Sequence, residues 1–221
     1  MIALDLPGHG SSSKDVGNGS IDFMAETILQ FMKELDIMEA DWVGHSMGGA
    51  ISLQLAKSHP EMVRSLTLIG SAGLGEEING DYLRGFAQSQ SRRELKPFVQ
   101  QLFKDSSLVT RQLVDDLLKF KRIDGVQACL EKIIGCFLDG ANQVLDLRNV
   151  LEEQDIPCLV IWGREDRILP ADHTINLPKQ VQVNIFFSGH LFHNSLMEVL
   201  QFLYEHHKQL KMNLLYQQYQ Q

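Results

Sequence analysis

Cysteine is scarce. The 221-residue chain has three, Cys129, Cys136 and Cys158. None stands in a C-x-x-C pair, so neither a disulfide framework nor a cysteine zinc site is indicated, and small buried residues are the expectation. Positive charge is also short: 20 Lys and Arg stand against 28 Asp and Glu, a formal net charge of -8. That balance gives no electrostatic footing for nucleic acid or an anionic membrane surface. No apolar run nears the ~18 residues of a membrane span, and the N-terminus has neither the charged start nor the small-residue cleavage site of a signal peptide. A soluble, cytoplasmic protein is expected. The basic stretches Arg92-Arg93 and Lys119-Lys121-Arg122 read as solvated helix faces.

What is present fits one globular domain with a sizeable core, since 44% of residues are hydrophobic and 22% charged. The chain opens MIALDLPGHGSSSK, where an apolar run reads as a buried strand starting at residue 1 and Pro7, Gly8 and Gly10 read as a loop. Ile21, Met24, Ile28, Phe31 or Met32, and Leu35 recur at three- and four-residue spacing behind Ser20, a candidate N-cap, which predicts an amphipathic helix. Short apolar runs at 41–43, 63–69, 158–162 and 181–187 each end near glycine or serine and read as strands. Strand and helix alternate, so an α/β fold with a mostly parallel sheet is expected.

Residues 76–150 break that rhythm. They carry helical patterns at 82–89, 94–103, 111–120 and 126–137 and no convincing strand, which predicts a helical cap inserted into a core made of 1–75 and 151–215. A further helix is expected over 195–211, and the polar tail 216–221 reads as flexible.

Chemistry concentrates in Gly44-His45-Ser46-Met47-Gly48-Gly49, a G-x-S-x-G sequence between a predicted strand and a predicted helix. There a sharp turn would lift the serine hydroxyl out of the sheet edge. Steric crowding around such a serine calls for glycine at 44 and 48, and the helix behind Ser46 aims its N–H groups at the reacting centre. A serine needs a base, and the base needs an orienting acid. Asp166 follows the strand at 158–162 and His190 follows the strand at 181–187, so acid and base come after the serine, each near a later strand end. Glu165 neighbours Asp166 but is expected to be solvated. His193 is expected in a supporting role, since no ligand set completes a metal site around it, and His206 with His207 point to different helix faces. Gly70-Ser71-Ala72-Gly73-Leu74-Gly75 lacks a phosphate-loop signature and reads as the entry to the cap.

At these residues the sequence resembles the α/β-hydrolase superfamily. Residues 5–12 look like that family's loop after its fourth strand, 44–48 like its nucleophile elbow, and 163–166 and 189–190 like its acid and histidine loops. The stretches 73–80, 91–97 and 119–125 are similar to the cap of the acetyltransferase (E2) components of acetoin dehydrogenase complexes. The resemblance implies a Ser46–His190–Asp166 triad with the Met47 N–H as one oxyanion donor, and acetyl transfer between a dihydrolipoyl group and coenzyme A. It also implies other dehydrogenase-complex components as partners, a lipoyl domain upstream, and a second oxyanion donor from a His-Gly loop ahead of residue 1, so that the first strands of the fold are expected to be missing here. An ester or C–C bond hydrolase using water is the alternative within the enzymes. A non-catalytic association module is the alternative outside them, and the oligomeric state, a homo-oligomer included, stays open.

Overall fold

Four strands, β1 (Ala40–His45), β2 (Val63–Ile69), β5 (Cys158–Gly163) and β6 (Gln182–Phe186), lie side by side in that order, all parallel. The computed structural model describes residues 2–186. The chain runs through α1 (Ile21–Glu34), β1 (Ala40–His45), α2 (Met47–Ser58) and β2 (Val63–Ile69) before leaving the sheet. It returns by α7 (Val150–Glu153) to β5 (Cys158–Gly163) and β6 (Gln182–Phe186). Parallel neighbours require crossovers, and α2 supplies the one between β1 and β2.

Local chemistry sets these boundaries. Ser20 Oγ accepts from Phe23 N at 3.1 Å and starts α1. The helix then buries Met24, Ile28, Leu29 and Met32 on one face, while Leu35, just past its end, is 48% exposed. α2 stops at Ser58 with His59 as its C-cap, because Pro60 has no N–H to extend the ladder. Leu66, Leu68, Val160 and Trp162 point from the sheet into the main core with both helices. Ile69, Ile161 and Leu159 form a small cluster of their own, the period-two alternation of strands with two apolar faces.

The opening run is not a strand. Residues 2–6 have no regular structure, and Ile2 and Leu4 are 56% and 41% exposed. A strand needs a hydrogen-bonded neighbour. Among the described residues β1 pairs with β2 alone, and Val43 on β1 is 51% exposed. The loop after the run closes on itself instead: the Asp5 carboxylate accepts from Ser11 N at 2.9 Å, and Gly8 N donates to Ser13 O at 2.7 Å.

Between β2 and α7 lie α3 (Gly80–Gln88), α4 (Arg92–Gln100), α5 (Arg111–Lys121) and α6 (Val126–Phe137). Asn79, Ser91 and Thr110 each accept from a first-turn N–H to start α3, α4 and α5. Two features depart from the sequence expectation. The region does contain strands, a short antiparallel ribbon of β3 (Leu138–Asp139) and β4 (Asn142–Gln143). It escapes a periodicity reading because two residues per strand carry no period. The basic stretches also do more than face solvent. Lys121 is 7% exposed, and its Nζ donates to Phe86 O and Ala87 O, both at 2.7 Å, closing the C-terminal end of α3. Of the cysteines, Cys129 and Cys158 are buried, but Cys136 is exposed on the outer side of α6.

Candidate active site

The turn between β1 and α2 is a single residue, Ser46. Its φ of 51° and ψ of -118° lie in a region that L-residues rarely occupy, a conformation costing about 1–3 kcal/mol that persists only when its surroundings impose it. The imposing contacts are backbone. Ser46 N donates to Ile69 O at 3.0 Å, and Ser46 O accepts from Gly49 N at 3.0 Å and Ala72 N at 3.1 Å, so the turn is pinned to the end of β2. The side chain makes no capping bond to α2 and is half-buried at the sheet's C-terminal end. Met47 opens α2, and its N–H belongs to the first turn, where the donors point along the positive end of the helix dipole.

Glycine is required here at two places, one of them unexpected. A Cβ at Gly44 would lie 2.4 Å from Gly48 O, and one at Gly49 would lie 2.1 Å from Ser71 Oγ. A Cβ at Gly48 would meet nothing within 4 Å among the described residues. Among the described residues the steric need assigned to 44 and 48 therefore falls on 44 and 49, because Gly49, inside the first turn of α2, faces the strand-end loop while none of them crowds Gly48.

Asp166 sits in the turn after β5, with Asp166 N bonded to Gly163 O at 3.2 Å. Its Oδ1 accepts from Ile168 N at 2.8 Å and Leu169 N at 3.0 Å, which fixes the carboxyl. Its Oδ2 faces Gly70 at the end of β2, where an added Cβ would come within 3.3 Å. Burial pushes this carboxyl above its ordinary pKa, while the two backbone N–H groups and nearby His173 pull the other way. Glu165 points elsewhere, to Lys104 Nζ at 3.1 Å on the surface. Ser46 and Asp166 are thus both anchored against the end of β2, from the strands on either side of it. His190, His193, His206 and His207 lie outside the described residues, as does the helix expected over 195–211.

A layer behind Asp166 had no sequence signal. His173, 7% exposed, meets Trp162 edge-on at 5.9 Å between ring centres and approaches Glu77 Oε2 with Nε2 at 3.1 Å. Asn79 N donates to Ile168 O, and Asn79 Nδ2 to Arg167 O and Gln101 Oε1. Gly73 N donates to Gln143 Oε1 at 2.8 Å. These bonds join the turn carrying Asp166 to the entry of the helical segment. The one trace in the sequence is Gly75, whose missing side chain makes room for the His173 ring. Among the described residues, no group of three or more His, Cys, Asp or Glu could hold a metal ion, and no helix is long and apolar enough to cross a membrane.

A parallel sheet carrying a strained serine in a one-residue strand-to-helix turn, with a fixed carboxyl two strands away, defines a nucleophile-elbow α/β protein. The model of the alpha/beta hydrolase fold family matches residues 1–195, and the chain belongs to that family. It is 48% identical over 191 residues to a dihydrolipoyllysine-residue acetyltransferase component of an acetoin cleaving system from Pseudomonas putida, covering 86% of this chain and 51% of that protein. It is 32% identical over 190 residues to a 2-hydroxy-6-oxononadienedioate/2-hydroxy-6-oxononatrienedioate hydrolase from Paraburkholderia phymatum, covering 80% of this chain and 64% of that one. The solved 2-hydroxy-6-oxo-6-phenylhexa-2,4-dienoate hydrolase of a Rhodococcus species superposes with a TM-score of 0.73 at 21% identity, over 92% of this chain and 78% of that one. The chain spans about half the length of the acetyltransferase component it matches.

Proposed function

We propose that the chain carries out acyl transfer through an acyl-serine, moving an acetyl group from a dihydrolipoyl thioester to coenzyme A as part of an acetoin-cleaving complex. The observation that carries the chemistry is the strained Ser46, held by backbone alone with its hydroxyl uncommitted to the helix. The acetyltransferase relative supports the choice of acyl group and acceptor.

In the proposed reaction Ser46 Oγ attacks the thioester carbonyl, its proton passes to His190, and the carbonyl oxygen becomes an oxyanion facing the Met47 N–H. Collapse expels the dihydrolipoyl thiolate, which takes the proton from His190 and leaves acetyl on Ser46. Coenzyme A then gives its thiol proton to His190, attacks the acyl carbon and departs as the thioester, returning the proton to Ser46. Asp166 holds the imidazole and offsets its charge, with Oδ2 as the acceptor. An oxyanion donor of this kind is worth ~10² to 10³ in turnover.

Covalent labelling by a fluorophosphonate, lost in Ser46→Ala, tests the nucleophile; a folded chain that resists labelling overturns the reading. Acetyl-dihydrolipoamide with coenzyme A or water as acceptor tests the transfer. Faster reaction with coenzyme A supports it. Equal turnover without it favours the second reading, a hydrolase using water, which rests on the 32% identical hydrolase relative.

A further inference from the structure

The two basic stretches, which the sequence presents as separate helix faces, come together in space. Arg92 and Arg93 at the start of α4 and Lys119 and Arg122 at the end of α5 line one groove of about 500 Å³, together with Gln90, Ser91, Gln112, Asp115 and Leu118. Four cations face one carboxylate there, in a chain whose formal net charge is -8. That volume falls in the range of small-molecule sites.

The cations divide into two kinds. Arg92 is held in place, donating from Nη2 to Asp115 Oδ2 at 2.8 Å, with Arg111 Nε 3.9 Å from the same oxygen. Lys119 is paired with Asp116 at 2.7 Å, and Gln112 donates to Asp116 as well. Arg93 and Arg122 are exposed, and their guanidinium groups make no ion pair or hydrogen bond with the described residues. Two held cations thus frame two uncommitted guanidinium groups. Glu94, beside Arg93, is engaged by Gln90 N at 2.9 Å and does not line the groove. The groove also receives the N-terminal turn of α4, whose dipole adds partial positive charge.

Guanidinium groups bind phosphate oxygens through paired, charge-assisted hydrogen bonds. We propose that this groove binds the phosphate groups of a nucleotide-sized ligand and, resting on the acyl-transfer reading above, that it holds the nucleotide end of coenzyme A. In that role the helical segment anchors the acceptor by the end remote from its thiol.

Calorimetry on the whole chain with coenzyme A, ADP, inorganic phosphate and pantetheine tests this. Coenzyme A and ADP should bind, and pantetheine, which has the thiol arm but no phosphate, should not. Arg93→Glu with Arg122→Glu should weaken coenzyme A binding about tenfold or more, as should raising salt from about 50 to 200 mM. Both residues are exposed, so the variant should fold and still label at Ser46, and the matching double lysine variant should recover part of the affinity. Unchanged coenzyme A binding in the charge-reversed chain overturns the proposal, as does binding of an oligo-glutamate peptide with no binding of any phosphate compound. Inorganic phosphate binding as tightly as ADP and coenzyme A overturns the nucleotide as occupant. Loss of Ser46 labelling with phosphate binding intact would strike the acyl-transfer reading alone.

Discussion

At the C-terminal end of the sheet, groups are held by main chain. Ser46 is fixed by Ile69 O, Gly49 N and Ala72 N, and Asp166 by the N–H groups of Ile168 and Leu169. In the helical segment from α3 to α6, elements are joined by long side chains: Lys121 reaches the carbonyls of α3, and Arg92 reaches Asp115 on α5. That segment also has its own apolar cluster, Leu95, Val99, Phe103, Val109, Val114 and Leu118, separate from the main core. Backbone contacts through strained or side-chain-free positions place a group to within tenths of an ångström, which covalent chemistry requires. Side-chain ties between exposed groups carry more freedom and hold their elements less tightly.

Substitutions can break that contrast. Asp166→Asn keeps the acceptor for both backbone N–H groups but removes the charge, and turnover of an acetyl thioester should fall by ~10⁴. The same change should raise the melting temperature at pH 7. Because burial raises the folded-state pKa of Asp166 above its unfolded value, the group's contribution to stability is fully present below the unfolded pKa and is lost as pH rises through the raised folded value. At neutral pH the buried charge is therefore a cost that asparagine removes. A melting temperature that falls instead would show the carboxylate to be better paired than its described neighbours imply.

Gly44→Ala puts a methyl against the Gly48 carbonyl and should cost about 1–3 kcal/mol in urea unfolding together with most of the activity. Its control, Gly48→Ala, enters open space in a helix and should change stability by less than ~1 kcal/mol, on the stabilising side. Equal damage from both would mean that backbone crowding does not set the turn. Within the cap, Lys121→Met strips the α3 carbonyls of a charged donor and should cost about 1.5–3 kcal/mol by the same measurement. The smallest effect is expected from Arg92→Ala, which breaks an exposed ion pair: a melting shift under about 2 °C, shrinking as salt is added.

Much of the frame could be read from the chain. The strands β2 and β5 and the Ser20 cap were legible because each rests on interactions within a few residues: a short apolar run, or a side chain reaching back to an N–H. The places of Ser46 and Asp166 in the fold were legible for a related reason, since each follows closely on a strand end. The opening strand was misread because its apolar residues specify only the capacity to pair, and pairing depends on a neighbour that periodicity does not reveal. The role given to Gly48 belongs to Gly49, because which helix face meets the β2 loop depends on how α2 packs.

The sequence by itself determined the alternating α/β order, the serine in the strand-to-helix turn and the aspartate after a later strand, because these depend on local spacing and on backbone conformations open to few residue types. The tertiary structure alone decided that Arg93 and Arg122, 29 positions apart, face one groove and that His173 lies beneath the turn carrying Asp166. Contacts of that kind are set by how helices and loops pack against one another, and no local pattern encodes the meeting of two surfaces.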